Sequence, residues 1–373
     1  MVLMALDHTR GMVSGSQIDP TNLAETNAAL FLTRWITHFC APIFVFLAGT
    51  AAFLSTARGK TKPELSRFLW TRGLWLIFLE FTFVRLGWSF SLKSPFVVGQ
   101  VIWVLGCSMS VLAVLVYLPI RAVAIFGILT VALHNCLDGI RAQDFGAYAW
   151  VWGILHGGYS FEMLPGLKFV PSYALIPWVG VMAAGYGFGP MLLLDASRRR
   201  QILLWLGFGL MAAFVTIRLT NQYGDPHPWS VQRSCLYTCF SFVNCTKYPP
   251  SLLFLLMTLG PGILFLAMRR GEPEGAKSGL LTRGLIVFGR VPLFFYLLHL
   301  PLIHLLAVMV SLPHYRLALG SFYYARPPAD SGYGQELWVV YAIWILVVCL
   351  LFPACYWFAR LKQRRPSSWL SYL

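Results

Sequence analysis

The residues of this chain best suited to chemistry are polar groups set within or at the ends of apolar runs. Asp7, His8 and Arg10 follow a short apolar stub. Arg34 and His38 are four apart, so on a helix they share a face. His134 and Asp138 have the same spacing, with Asn135 beside the histidine. Glu80 and Arg85 lie in another run, Arg218 and Asn221 close a further one, and Arg290, His299 and His304 fall in a long run nearer the C-terminus. A charge at mid-bilayer costs about 2.5–3.5 kcal/mol on insertion scales, so such groups either serve function or pair to hold helices together. Histidine is the abundant group here that exchanges a proton near neutral pH. A neighbouring aspartate would hold one tautomer and raise its basicity. His8 is therefore the expected proton acceptor, with Asp7 adjacent. On a helix Arg10 shares a face with Asp7, so a local ion pair is expected to orient the site, and His38, His134 and Asp138 are expected at the same depth from two other spans. Together they imply a polar cavity open to the outer face, weighed against the plainer alternative of structural pairs. Glu80 and Arg85, five apart, point to different faces and are expected to pair with other helices. No Ser-His-Asp order, carboxylate pair or metal-ligand spacing emerges, and no metal is expected.

Helices through a bilayer must position these groups. The chain of 373 residues is 58% hydrophobic and 12% charged, whereas soluble domains are about half apolar and about a quarter charged. Apolar runs near the roughly 20 residues needed to cross a bilayer recur from end to end. They predict nine full spans near 30–55, 68–92, 97–118, 120–137, 171–194, 201–220, 249–268, 284–312 and 336–360. The expected fold class is all-α, a polytopic transmembrane helix bundle forming one domain over 1–373 with a partial span at the N-terminus. That first stub, Met1–Leu6, would rise only about 9 Å as a helix, so the first helix is expected to be truncated, its true start lying upstream. The net charge of +15 does not indicate nucleic acid, because the basic residues fall in short clusters between apolar runs. The positive-inside rule puts the basic loops at 56–72, 119–121, 195–200 and 269–283, and the C-terminal tail, in the cytoplasm. Loops 8–29, 138–170, 221–248 and 313–335, which hold most of the acidic residues, are then outside. Gly180, Ala184, Gly185, Gly187 and Gly189 mark close helix packing rather than a phosphate loop. Of the eight cysteines, Cys235, Cys239 and Cys245 share one loop, where a disulfide is an open option.

Asp7-His8-Thr9-Arg10, Arg34-Trp35-Ile36-Thr37-His38 with the following Cys40-Ala41-Pro42, and His134-Asn135-Cys136-Leu137-Asp138 form one set of motifs. Asn221-Gln222-Tyr223-Gly224-Asp225-Pro226, Lys247-Tyr248-Pro249-Pro250 and Gly289-Arg290-Val291-Pro292, running on to His299, form another. In combination these stretches, spread over nearly the whole chain, resemble bacterial relatives of heparan-α-glucosaminide N-acetyltransferase, a family grouped with the transmembrane acyltransferases. The resemblance implies an enzyme of the plasma (bacterial inner) membrane that moves acetyl from cytoplasmic acetyl-CoA to an amine or hydroxyl of a sugar-containing acceptor outside. The implied catalytic set is Asp7, His8, His38, His134 and Asp138. The implied substrate-binding set is Arg10, Arg34, Asn135, Asn221, Asp225, Lys247, Tyr248, Arg290 and His299. Two departures stand out. The family's N-terminal ID-x-x-RG stretch is absent, and His8 falls where the animal enzyme carries an active-site asparagine, while no residue here matches that enzyme's active-site histidine. The expected partners are the lipid bilayer and a small-molecule or glycan acceptor, with a homodimer left open. A transporter with a His/Asp/Arg relay and a non-catalytic membrane scaffold are the alternatives: a transporter would release no thiol from acetyl-CoA, and in a scaffold substitutions of the polar cluster would change stability without changing any activity.

Overall fold

A computed structural model of the protein describes residues 1–14, 18–91, 94–268, 279–315 and 332–365, together with Leu370. Most of the basic loop at 269–283 and of the loop at 313–335 lies outside the described residues. The chain is a polytopic helical membrane protein. Among the described residues, six helical segments are long and apolar enough to cross a bilayer: Ala28–Ala57, Ile120–Leu137, Leu175–Leu193, Ala196–Thr220, Pro292–Pro313 and Leu337–Arg364. Val101–Leu115 and Leu252–Met268 are shorter apolar helices. Contacts divide the chain into two compact units, one of residues 1–40, 82–94 and 271–373, the other of residues 41–81 and 95–270.

The first unit is built on helix α1 (Val2–Val13), which packs on α2 (Ala28–Thr37), α14 (Pro292–Tyr315) and α15 (Leu337–Arg364). The Asn27 side chain caps α2 by accepting the Leu30 N–H at 2.9 Å, which satisfies one of the donors that every helix start leaves open. Trp344 Nε1 of α15 donates to Val2 O at 2.8 Å, and Thr33 of α2 bonds the Tyr341 hydroxyl at 2.6 Å. Helix α5 (Arg85–Ser89) packs on α14, and α13 (Leu280–Arg290) on α14 and α15. The run expected as one span at 284–312 is therefore two helices, broken between Arg290 and Pro292. Proline lacks the N–H that would continue a helix but is well suited to start one.

The second unit holds α3 (Cys40–Ala57) from Ala41 onward, α4 (Lys62–Leu79), α6 (Val101–Leu115), α7 (Ile120–Leu133), α9 (Leu175–Phe188), α10 (Ala196–Thr220) and α12 (Leu252–Met268). Two short helices lie in its loops, α8 (Ala149–Leu155) and α11 (Cys235–Val243). The α4 start is a capping box, in which Thr61 and Glu64 satisfy each other's backbone. The all-α expectation needs one correction. Residues 96–99, expected at the start of a span, form strand β1 (Phe96–Gly99), parallel to β3 (Leu167–Pro171), which pairs antiparallel with β2 (Phe161–Leu164). A four-residue apolar run fits a strand as well as a helix. The Leu164-Pro165-Gly166-Leu167 turn joins β2 to β3, and Gly166 at φ 76° supplies the left-handed residue such a turn needs. Phe169 of β3 is buried against Phe81, Trp103 and Phe161.

Small residues in α9 allow helices to approach backbone to backbone, as the glycine stripe predicts. A Cβ on Gly185 would overlap the Phe46 carbonyl of α3, whereas one on Gly209 of α10 would meet nothing within 4 Å. Overpacking such a contact costs roughly 1–3 kcal/mol. Gly185→Val should therefore lower the unfolding temperature of the detergent-solubilised protein, and Gly209→Val should leave it near wild type. Equal effects of the two would contradict this packing.

Candidate active site

In the first unit, α1 carries three polar side chains in different directions. Consecutive helical residues are about 100° apart, so Asp7 and His8 leave the helix on separate bearings although they adjoin in sequence. Asp7 turns to cations. Arg34 of α2 donates to its two carboxylate oxygens at 2.7 and 2.6 Å, and Arg10, one turn along α1, donates at 3.2 Å. These bonds are charge-assisted and short. The Asp19 carboxylate also lies near enough to act on the Arg10 charge. Arg10 Nε is buried and meets no hydrogen-bond partner among the described residues.

His8 turns instead to α14. Its Nδ1 lies 2.7 Å from Nε2 of His299, with the two rings stacked at 4.9 Å. Trp88 of α5 meets the His8 ring edge-on at 4.9 Å, and Tyr296 flanks it at 6.3 Å. His299 is wholly buried, with Nδ1 2.6 Å from Tyr296 O and 3.1 Å from Phe295 O. His304, one and a half turns further on, bonds Gly87 O at 3.2 Å and packs on Phe90. His38 is buried at the C-cap of α2, and Arg290 lies exposed at the end of α13.

The remaining expected residues lie in the second unit. His134 ends α7 with Nδ1 3.0 Å from Val131 O and Nε2 2.8 Å from Pro250 O. A carbonyl oxygen only accepts, so both ring nitrogens of His134 are turned to backbone. Asn135 donates to Asp138 at 2.8 Å and accepts the Leu252 N–H at 2.8 Å. Asp138 also accepts from Nε2 of His156 at 3.0 Å. Partial burial pushes the Asp138 pKa up, but the hydrogen bonds from His156 and Asn135 outweigh it and hold the carboxyl below its ordinary range. His156 was not anticipated. It is the single histidine of the 138–170 loop, and the need of a half-buried aspartate for a donor was the one available signal. Its Nδ1 is buried without a hydrogen-bond partner among the described residues.

Asn221, Asp225, Lys247 and Tyr248 belong to the loop region around Arg218. The Arg218 guanidinium, 2% exposed, donates to the carbonyls of His227, Ser241, Phe242 and Asn244. Asp225 lies 3.9 Å from it and accepts from Thr246 and Ser251. Asn221, at the left-handed end of α10, exchanges two hydrogen bonds with the Trp229 backbone. Lys247 is buried, with its ammonium 5.1 Å from the exposed Tyr248 ring. Glu80 and Arg85 do find separate partners. Glu80 accepts the Trp103 N–H at 3.0 Å, with further backbone bonds at Ile102 and Gln100. It thus caps α6, whose own N-cap side chain gives no such bond. Arg85 donates to Ser94 O at 2.8 Å.

Because the folded Asp138 pKa is lowered, the unfolded chain binds more protons across that interval, and stability rises with pH there. The Asp138 contribution should be complete above the ordinary carboxylate pKa of about 3.9 and vanish as pH falls through the lowered value. The difference in unfolding temperature between wild type and Asp138→Asn should shrink below about pH 4. A difference independent of pH would contradict the assigned bonds.

No curated protein matches the chain on comparison. The profile of a protein family described as heparan-alpha-glucosaminide N-acetyltransferase, catalytic, matches residues 1–222. That stretch is well over half of the chain and includes α1, α2 and α7 with the motifs around His8, Arg34 and His134. This chain therefore belongs to the heparan-alpha-glucosaminide N-acetyltransferase catalytic family, which implies a membrane acetyltransferase.

Proposed function

We propose that the protein transfers acetyl from cytoplasmic acetyl-CoA to an amine or hydroxyl of a sugar-containing acceptor at the outer face of the plasma membrane, with His8 as the general base. The observation that carries this reading is the His8–His299 pair, set in the same unit as the Asp7, Arg10 and Arg34 cluster in a chain of this family.

Acetyl transfer needs a proton acceptor for the attacking group and a positive environment for the oxyanion. His8 takes the proton as the acceptor nitrogen or oxygen bonds to the thioester carbonyl carbon. The carbonyl oxygen becomes an oxyanion, stabilised by a guanidinium group of that cluster, in which the buried Arg10 Nε–H is a suitable donor. Collapse of the tetrahedral species re-forms the carbonyl and breaks the carbon–sulfur bond. The departing thiolate takes the proton from His8, so CoA leaves as a thiol and His8 is restored. Asp7 holds Arg10 and Arg34 in place. His134, Asn135, Asp138 and His156 tie the end of α7 to residues 250–252 and to α8, and Asn221 and Asp225 close the loop around Arg218. Their contribution to substrate binding is through the form of those loops.

The thioester is polar and does not cross lipid, so the protein must offer it a polar path from the cytoplasm. The orientation that suits this sets the basic loops 56–72 and 195–200 and the C-terminus inside, with nine spans and the acidic loops outside. An impermeant thiol reagent added to intact cells should then label a Ser197→Cys variant no more than the wild type, whose exposed Cys235 and Cys239 lie on an outer loop, and added labelling from outside would reverse the orientation.

For the chemistry, purified protein should release thiol from labelled acetyl-CoA and pass the label to a fraction of cell-envelope glycans. His8→Ala should abolish both while leaving the protein folded and inserted in the membrane. A well-folded His8→Ala protein with near wild-type transfer would remove His8 from this role, and transport of acetyl-CoA without thiol release would replace the enzyme with a carrier.

A further inference from the structure

The hydrogen bonds of His299 determine where the protons sit on both rings of the pair. Nδ1 of His299 faces two carbonyl oxygens, Tyr296 O at 2.6 Å and Phe295 O at 3.1 Å. Carbonyls only accept, so this nitrogen carries a hydrogen. The ring is wholly buried, and its neighbours on α14 are the rings of Phe295 and Tyr296. An imidazolium there would be costly, so the ring is neutral and Nε2 holds its lone pair. Nε2 stands 2.7 Å from Nδ1 of His8. That bond needs one hydrogen, and only His8 can supply it.

Resting on the reading of His8 as general base, we infer that His299 is a positioning residue that fixes His8 as its Nδ1–H tautomer and so places the basic lone pair on His8 Nε2, the nitrogen that receives the acceptor's proton. This is the task expected of Asp7 from its place in the sequence, and α14 performs it with a neutral acceptor instead. Trp88 and Tyr296 wall the His8 ring, so its plane is set as well as its tautomer. As Nε2 gains a proton, the bond from Nδ1–H to His299 becomes charge-assisted and stronger. His299 therefore stabilises the imidazolium that forms during transfer while never taking the proton itself.

Two measurements test this. The first is the nitrogen-15 spectrum of histidine-labelled protein at mildly alkaline pH, where protonated and lone-pair ring nitrogens are well separated and His8 is identified by difference against His8→Asn. The inference requires the His8 proton on Nδ1 in the wild type. A proton on Nε2 overturns it, and this result needs no variant at position 299 to fold. The second compares His299→Phe, which fills the volume and removes the acceptor, with His299→Gln, which keeps an acceptor oxygen. His299→Phe should lower kcat by about 10²–10⁴-fold with little change in KM, as loss of a positioned base or its tautomer does. It should also release His8 to its other tautomer in the spectrum. His299→Gln should recover at least about tenfold of that loss, because the acceptor rather than the imidazole is what His8 requires. An unchanged His8 spectrum in a folded His299→Phe protein, or no recovery with Gln, overturns the inference. Absence of acetyl transfer in the wild type would refute the acyltransferase reading, and the tautomer would still be decided by the spectrum.

Discussion

A hydrocarbon interior offers no water to a polar group, so each charge, ring nitrogen and helix end there must be satisfied by the protein itself. The local organisation of both units follows from that constraint. Asp7 is answered by Arg34 and Arg10, Glu80 is answered by the open amides at the start of α6, and Arg85 by Ser94 O. Arg218 gathers four carbonyls from one loop. Each pairing spends its polar groups on architecture and leaves little over for a ligand. The groups left over are informative for that reason. Among the described residues Arg10 Nε is one, in the first unit, and His156 Nδ1 is another, in the second.

Histidine has two chemically different nitrogens, and the constraint sorts the histidines by how those nitrogens are used. Both nitrogens of His134 are turned to backbone oxygens, which makes it a clamp between α7 and Pro250. His299 gives one nitrogen to backbone and the other to His8. His8 meets that pair through its Nδ1, and it is the ring to which the proposed function assigns the proton transfer. A protein that holds an imidazole and two guanidinium groups in one unit has the two elements that the proposed acetyl transfer asks of it, a proton acceptor and a stabiliser of developing negative charge.

Much of this was legible in the sequence because the bilayer penalises polar groups wherever they stand. Asp7, His8, Arg10, Arg34, His134, Asp138 and His299 could all be singled out as polar residues in apolar surroundings, and the long apolar runs correspond to helices. The Asp7–Arg10 pair could be read from its three-residue spacing, but the partners distant in sequence could not. Asp7 meets Arg34 across 27 positions and His8 meets His299 across 291, distances at which spacing carries no information. The adjacency of Asp7 to His8 was misleading for a definite reason, since neighbours on a helix diverge by about 100°. The short strand at 96–99 was hidden because so brief an apolar run has no periodicity to distinguish it. His156 stood in a polar, aromatic loop, where nothing marked it out until Asp138 was seen to face it.

The central claim is that acetyl transfer takes place at His8. A structure of the protein with a ketone analogue of acetyl-CoA, in which a methylene replaces the thioester sulfur, tests it most directly. The account predicts the analogue's acetyl carbonyl beside His8, on the Nε2 side of the ring, with room between them for one acceptor heteroatom. An analogue bound with its acetyl group beside His156 in the other unit, or away from both histidines, would contradict it.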